Sequence, residues 1–256
     1  MNSANWFDCD LAVVDVETTG LDPSKDRVIE VGIVHMRAGK TIEQYGRLID
    51  PGREIPEVVV GITGITQDMV DGQPKFEDLA REIHARLEGK VLVAYNLSFD
   101  SAFIRAELER VGLKLPEGPA LDPLVFAREL QKNDGSKKLG AVAERMGIVL
   151  EEAHRAVNDA QVAGDVLYAF GEQLPPRLED LTILQKQWSA QQEQLMAARR
   201  RMRGQEVDED ALPTATVALT TDDGIVLGPA YIYGSDPDPL RFFYSQLPDS
   251  STARRS

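Results

Sequence analysis

The chain has 256 residues, 43% hydrophobic and 27% charged, the balance of a globular protein with room for one moderate domain and an appendage. No apolar run is long enough to span a bilayer, so no membrane partner is expected. The formal net charge of -14 is the wrong sign for gripping long nucleic acid, where contacts to phosphate supply most of the affinity. The start, MNSANWFDCD, lacks a basic stretch followed by an apolar one, so no signal peptide is expected. With Cys9 the only cysteine, no intrachain disulfide can form, which fits a reducing cytoplasm.

Leu11 to Val16 reads as a first, buried strand. A second follows from Val28 to Met36, and RAGK turns it into a third at Thr41 to Ile49. Asp50 to Gln73 is rich in DPG, GITGIT and DGQP and is expected to be mostly loop. Helical spacing at Phe76, Leu79, Ala80, Ile83 and Leu87 stops at Gly89. VLVAY, from Val91, is a continuous apolar strand of the buried kind. Further helices are expected at Ala102 to Val111, after the Asp122-Pro123 cap, at about Ser136 to Gly147, and at Ala156 to Phe170. Hairpin-linked strands followed by alternating strands and helices give an α/β fold, a mixed sheet flanked by helices over residues 1–175.

QLPPR breaks this pattern at Gln173 to Arg177. A long amphipathic helix is expected over 176–204, with Leu181, Leu184, Trp188, Gln191 and Leu195 on one stripe. Its final turns carry Arg199, Arg200, Arg201 and Arg203, which either complement the helix dipole or touch nucleic acid or a partner. Residues 205–256 read as an acidic linker, a small β-hairpin turned at Asp222-Asp223-Gly224, and a disordered tail.

Three short stretches put acids where an ordinary strand or helix gains nothing from them. In VVDVETTG, Asp15 and Glu17 share one face of the first strand, since strand side chains alternate. In VLVAYNLSFD, Asp100 follows the end of a buried strand. In HRAVNDA, His154 precedes a helix that carries Asp159 in its first turns. Singly, Asp100 reads as a helix cap and Asp159 as a first-turn acid. Together they change meaning, because strand ends in such a sheet meet at one edge, where sites form. Four converging carboxylates select hard cations such as Mg²⁺ or Mn²⁺ over Zn²⁺. Two such ions can serve the attacking and leaving oxygens of a phosphoryl displacement, with neutral His154 taking a proton from water.

DVETTG, NLSFD and HRAVNDA resemble, in order and spacing, the three motifs of the DnaQ-like, DEDDh-type 3′→5′ exonucleases, the group of the DNA polymerase III epsilon subunit and ribonuclease T. The resemblance covers about the first 170 residues. It implies a ribonuclease H-like fold with a five-stranded mixed sheet, two divalent cations (Mg²⁺ or Mn²⁺), and release of nucleoside 5′-monophosphates from a 3′ end. By position it makes Asp15, Glu17, Asp100 and Asp159 the metal ligands and His154 the general base. It brings Thr18, Thr19, Gly20 and Leu21 toward the terminal nucleotide, with Leu21 either wedged against the base or filling the core. Asn96 belongs to the second motif, and Phe99 either flanks the terminal base or packs under its helix. Thr63, in GITGIT, stands where the family often has a histidine near that nucleotide. Single-stranded DNA is the expected substrate, with RNA ends as the alternative, in a proofreading or repair role. A DNA polymerase or other protein is a candidate partner through the C-terminal region. The acidic charge suggests that only a few nucleotides are held at once. A phosphatase using Asp15 as nucleophile leaves His154 and Asp159 unexplained, and a noncatalytic adaptor leaves the intact motifs unexplained.

Overall fold

The computed structural model describes residues 4–149, 155–202, 219–220 and 226–227. Strand β1 (Leu11–Thr18) lies at the centre of a five-stranded sheet of order β3-β2-β1-β4-β5. It pairs antiparallel with β2 (Val28–Arg37), which pairs antiparallel with β3 (Lys40–Leu48). Ala38 and Gly39 both take positive φ in the two-residue turn, as a hairpin with the native strand twist requires. On its other side β1 runs parallel to β4 (Val91–Val93), and β4 to β5 (Ala120–Leu121).

Both faces of β1 are covered, which is why its sequence is an almost unbroken apolar run. Ala12, Val14 and Val16 enter the core beneath α3 (Phe76–Leu87) and α4 (Leu97–Arg110). Leu11 and Val13 enter the opposite core, formed with α5 (Pro123–Leu130), α6 (Leu139–Arg145), α7 (Ala156–Ala169) and α8 (Leu178–Met202). Strands β6 (Leu219–Thr220) and β7 (Val226–Leu227) pair antiparallel as expected of the hairpin. Its turn residues, the acidic linker and the tail lie outside the described residues, as do the arginine side chains expected at the end of α8.

Three expectations change. The stretch expected to be loop holds two short helices, α1 (Glu57–Thr63) and α2 (Gln67–Val70). The run Val58-Val59-Val60 has low helix propensity, but Val59, Ile65 and Val70 form a small separate core with Ile29 and Ile55, so burial decides. The strand VLVAY stops at Val93, and the next helix begins at Leu97, ahead of Ala102, because Asn96 takes a left-handed conformation (φ 75°, ψ 52°) and turns the chain early. Along α8 the inward stripe is Leu181, Gln185, Trp188 and Gln192, while Gln191 and Leu195 are exposed. The two inward glutamines bond backbone groups of the core (below), so their polarity does not mark an outer face.

One buried ion-pair group ties α4 to the start of β2. Glu107 on α4, 1% exposed, accepts from Arg27 Nε (2.8 Å), Arg27 Nη2 (3.1 Å) and the Val28 amide (3.2 Å), and pairs with Arg110 (3.2 Å). Removing Glu107 takes the buried carboxylate from both arginines and leaves Arg27 only the more exposed Glu77, at 3.6 Å. Glu107→Ala is therefore expected to cost about 2–3 kcal/mol, below the range for fully buried pairs because both arginines reach water. Urea unfolding measures it as a lower midpoint at unchanged slope.

Candidate active site

The register of the sheet explains how the acids meet. Asp15 and Glu17 share the parity of Leu11 and Val13, so they point to the face that α7 covers. Across the strands, Asp15 pairs with Gly32, and Gly32 with Gly46. These glycines form a trough. A Cβ at Gly32 would lie 2.2 Å from the Ala156 carbonyl carbon, and one at Gly46 would lie 2.6 Å from Val157 Cγ2. The first turn of α7 thus rests on bare backbone directly beside Asp15, and Asp159 is in that turn. Carboxylate oxygens of Asp15, Glu17 and Asp159 lie within 4.8 Å of one another. A glycine inside a strand marks close approach of another backbone, and VIEVGIV carries that signal without showing which backbone approaches.

Asp100 comes from the opposite face. Pairing of β1 with β4 ends at Val13, and further along β1 the Val16 amide donates to Asp100 Oδ1 at 3.0 Å. Asp100 is 3% exposed and sits in the first turn of α4. It is not part of the 4.8 Å triplet, but after burial it is the largest influence on Asp15.

The electrostatics are those of acids crowded together. The Asp15 carboxyl is pushed well above the usual range by burial first, then by Asp100, Asp159, Glu17 and Glu30. Glu17 is pushed up to about 8 by burial and by Asp159, Glu30 and Asp100, with Arg155 pulling the other way. Asp100 is also raised well above its ordinary value by burial, against the stabilising bonds from the Val16 amide and its own. Such a group favours bound positive charge, and an all-oxygen donor set fits a hard divalent ion.

Glu30 is opposite Glu17 across the strands but plays a different part. It accepts from Arg155 Nη2 (2.9 Å) and the Ala156 amide (3.2 Å), so it anchors the start of α7. Burial raises its pKa, and these two donors oppose that.

The expected nucleotide-facing residues are placed as follows. Thr18 Oγ1 donates to the Gly20 carbonyl (2.6 Å), and Thr19 Oγ1 meets Asp26 and the Arg27 amide. A Cβ at Gly20 would lie 2.4 Å from Asp26 Oδ2. These contacts fix the turn after β1, and Leu21 is half-buried on it. Thr63 is buried; its hydroxyl donates to the Val59 carbonyl and accepts from the Ile65 amide, closing its own helix. Phe99 is partly exposed, with its ring 4.9 Å from that of Phe103. Asn96 forms the left-handed turn before α4. His154 lies outside the described residues.

Comparison with known proteins places most of this chain in one family. Residues 12–167 match the RNase_T family, described as Exonuclease. The chain is 37% identical over 161 residues to the DNA polymerase III PolC-type of Clostridium perfringens, and 34% identical over 163 residues to the 3′-5′ exonuclease DinG of Bacillus subtilis. Each match takes in 63% of this chain but only 11% and 18% of those longer proteins. Among solved structures, exonuclease X in complex with 5′ overhanging duplex DNA superposes with a TM-score of 0.53 at 23% identity, covering 68% of this chain and 99% of that one. That likeness identifies the fold, a ribonuclease H-like sheet with flanking helices. The matched span takes in more than half of the chain, including all of the five-stranded sheet but Leu11, and the chain belongs to the Exonuclease family.

Proposed function

We propose that this protein is a metal-dependent 3′→5′ exonuclease that shortens single-stranded DNA from its 3′ end and releases nucleoside 5′-monophosphates. The observation that carries the reading is the convergence of Asp15, Glu17 and Asp159 within 4.8 Å, crowded further by Asp100. In this reading these four side chains hold two divalent cations, Mg²⁺ or Mn²⁺. When bound, the ions would supply Lewis-acid stabilisation of the charge that develops on the phosphodiester. His154, as neutral imidazole, accepts a proton from the attacking water. The water oxygen bonds to phosphorus as the bond from phosphorus to the 3′ oxygen of the neighbouring nucleotide breaks. The shortened strand keeps a 3′-hydroxyl and the released nucleotide keeps its 5′-phosphate. The turn Thr18 to Leu21, with Phe99, Asn96 and Thr63 near it in this reading, receives the terminal nucleotide.

DNA is favoured over RNA because one relative named above carries the name of a DNA polymerase and the superposed structure holds duplex DNA. Likeness to PolC-type polymerases also supports a proofreading setting beside a polymerase. The net charge of -14 supports a short footprint, with the strand released often.

The experiment uses 5′- and 3′-labelled single-stranded DNA and RNA of one sequence, with Mg²⁺, Mn²⁺ or EDTA and a heparin trap. The expected result is immediate release of the 3′ label as mononucleotide, a ladder from the 5′ label, and faster turnover of DNA than RNA. With the trap, only a few nucleotides are lost per encounter. Activity that survives EDTA, or label released first from the 5′ end, contradicts the reading.

A further inference from the structure

We infer that α8, which lies beyond the residues matched to the family, completes the active site: Gln185 on α8 fixes Asp122, and Asp122 fixes the turn from which Asp100 projects. This rests on the exonuclease reading for what Asp100 does, and on geometry for how it is held.

Strand β5 is one of the two edge strands of the five-stranded sheet, and an edge leaves backbone donors and acceptors unpaired. Gln185 occupies that edge. Its Nε2 donates to the Ala120 carbonyl (3.1 Å), and its Oε1 accepts from the Asp122 amide (2.7 Å). One side-chain amide thus bonds the two backbone groups that a neighbouring strand would bond. It is held there by burial of Leu181, by Trp188 against Phe126 at 6.2 Å between ring centroids, and by Gln192 Nε2 donating to the Val125 carbonyl at 3.0 Å.

With its backbone fixed, Asp122 presents its carboxylate to three amides: Asn96 (3.0 Å), Leu97 (3.1 Å) and Leu124 (2.9 Å). The bond to Leu124 caps α5. The other two hold the chain into α4, where Asn96 has the left-handed backbone that L-residues rarely adopt. The Asn96 side chain makes no capping bond of its own, so Asp122 supplies the cap from outside. Asp100 is the fourth residue of the helix that begins there. The contacts therefore run without a gap from α8 through β5 to the turn that aims a candidate metal ligand. Asp122 and Gln185 are positioning residues, since neither belongs to the gathered acids.

The test compares two substitutions on one helix. Gln185→Leu keeps bulk and removes both edge bonds. Gln192→Leu removes a buried side-chain-to-backbone bond of the same kind that leads to α5 instead. Both are expected to lower stability similarly. Only Gln185→Leu is expected to raise the Mg²⁺ concentration for half-maximal activity, by about tenfold, and to lower kcat with KM for DNA unchanged. A readout independent of activity is hydrogen exchange: amides of 96–100 should exchange faster in Gln185→Leu and not in Gln192→Leu. Asp122→Asn, which keeps the shape and weakens the cap, should move the same amides if Gln185→Leu does not fold. Equal metal midpoints and equal exchange in the Gln185 and Gln192 variants overturn the inference. Absence of 3′-end hydrolysis by the wild type overturns the exonuclease reading instead, and the exchange result still decides the linkage.

Discussion

Asp15→Asn should abolish 3′-end hydrolysis and at the same time make the metal-free protein more stable. The two effects have one cause. Asp15 is crowded by Asp100, Asp159, Glu17 and Glu30, and a neutral amide relieves that repulsion while weakening the donor set. The loss of rate should be at least about 10³-fold, or ~4 kcal/mol of transition-state stabilisation. The stability change has a definite pH dependence. Glu17 has an ordinary value of 4.5 and is held at about 8, so the folded, metal-free protein keeps a proton that the unfolded chain releases. Asp15 and Asp100 are raised as well. When the folded state binds more protons, stability falls as pH rises. The metal-free wild type should lose stability from about pH 4.5 to about pH 8, and Asp15→Asn should flatten that slope. Metal bound at 100 times its Kd should return about 2.7 kcal/mol, or very roughly 5–10 °C in Tm for a chain of this size. Thermal melts in EDTA and in Mn²⁺ at pH 5, 6.5 and 8 measure both effects. A metal-free Asp15→Asn protein less stable than wild type at pH 8 contradicts the crowding.

The second large effect concerns a residue with no functional group. Gly32→Ala should cost at least about 3 kcal/mol, the upper part of the range for overpacking, because the new methyl meets backbone at 2.2 Å and no side chain can swing aside. The corresponding fall in Tm is roughly 6–12 °C. Any protein that still folds must do so with α7 lifted from the sheet, which draws Asp159 away from Asp15, so residual activity should demand more metal. Gly61→Ala is the natural comparison. Gly61 lies in the short helix Glu57–Thr63 with nothing within 4 Å of an added methyl, and the change should be neutral or stabilise by up to about 1 kcal/mol. Equal melting temperatures for the two variants would remove the trough from the account.

What could be read from the sequence was whatever follows a period or a motif. The strand period placed Asp15 and Glu17 on one face, and the apolar spacing of Ala156 to Phe170 required a helix packed on the sheet near them. The order of DVETTG, NLSFD and HRAVNDA brought in Asp100 and Asp159. Contacts without a period were hidden. Asp122 was visible as a cap for α5 but not as the cap of α4, because Asn96 lies 26 residues away in the chain. Gln185 and Gln192 lie outside the stripe expected from the sequence, since nothing local reveals that their amides bond backbone groups of β5 and α5. The helices at Glu57 and Gln67 were masked by β-branched and turn-forming residues, and only burial against Ile29 makes them helices. Gly32 and Gly46 did carry a signal, as glycines inside strands, and its meaning lay in a helix more than a hundred residues later.

The most direct measurement counts bound ions. Mn²⁺ binding, followed by electron paramagnetic resonance at pH 8 with thymidine 5′-monophosphate present as the expected product, should show two ions per chain in the wild type and loss of at least one in Asp15→Asn. Identical stoichiometry and affinity in the two proteins would contradict the claim that the acids gathered at the end of β1 form a metal centre.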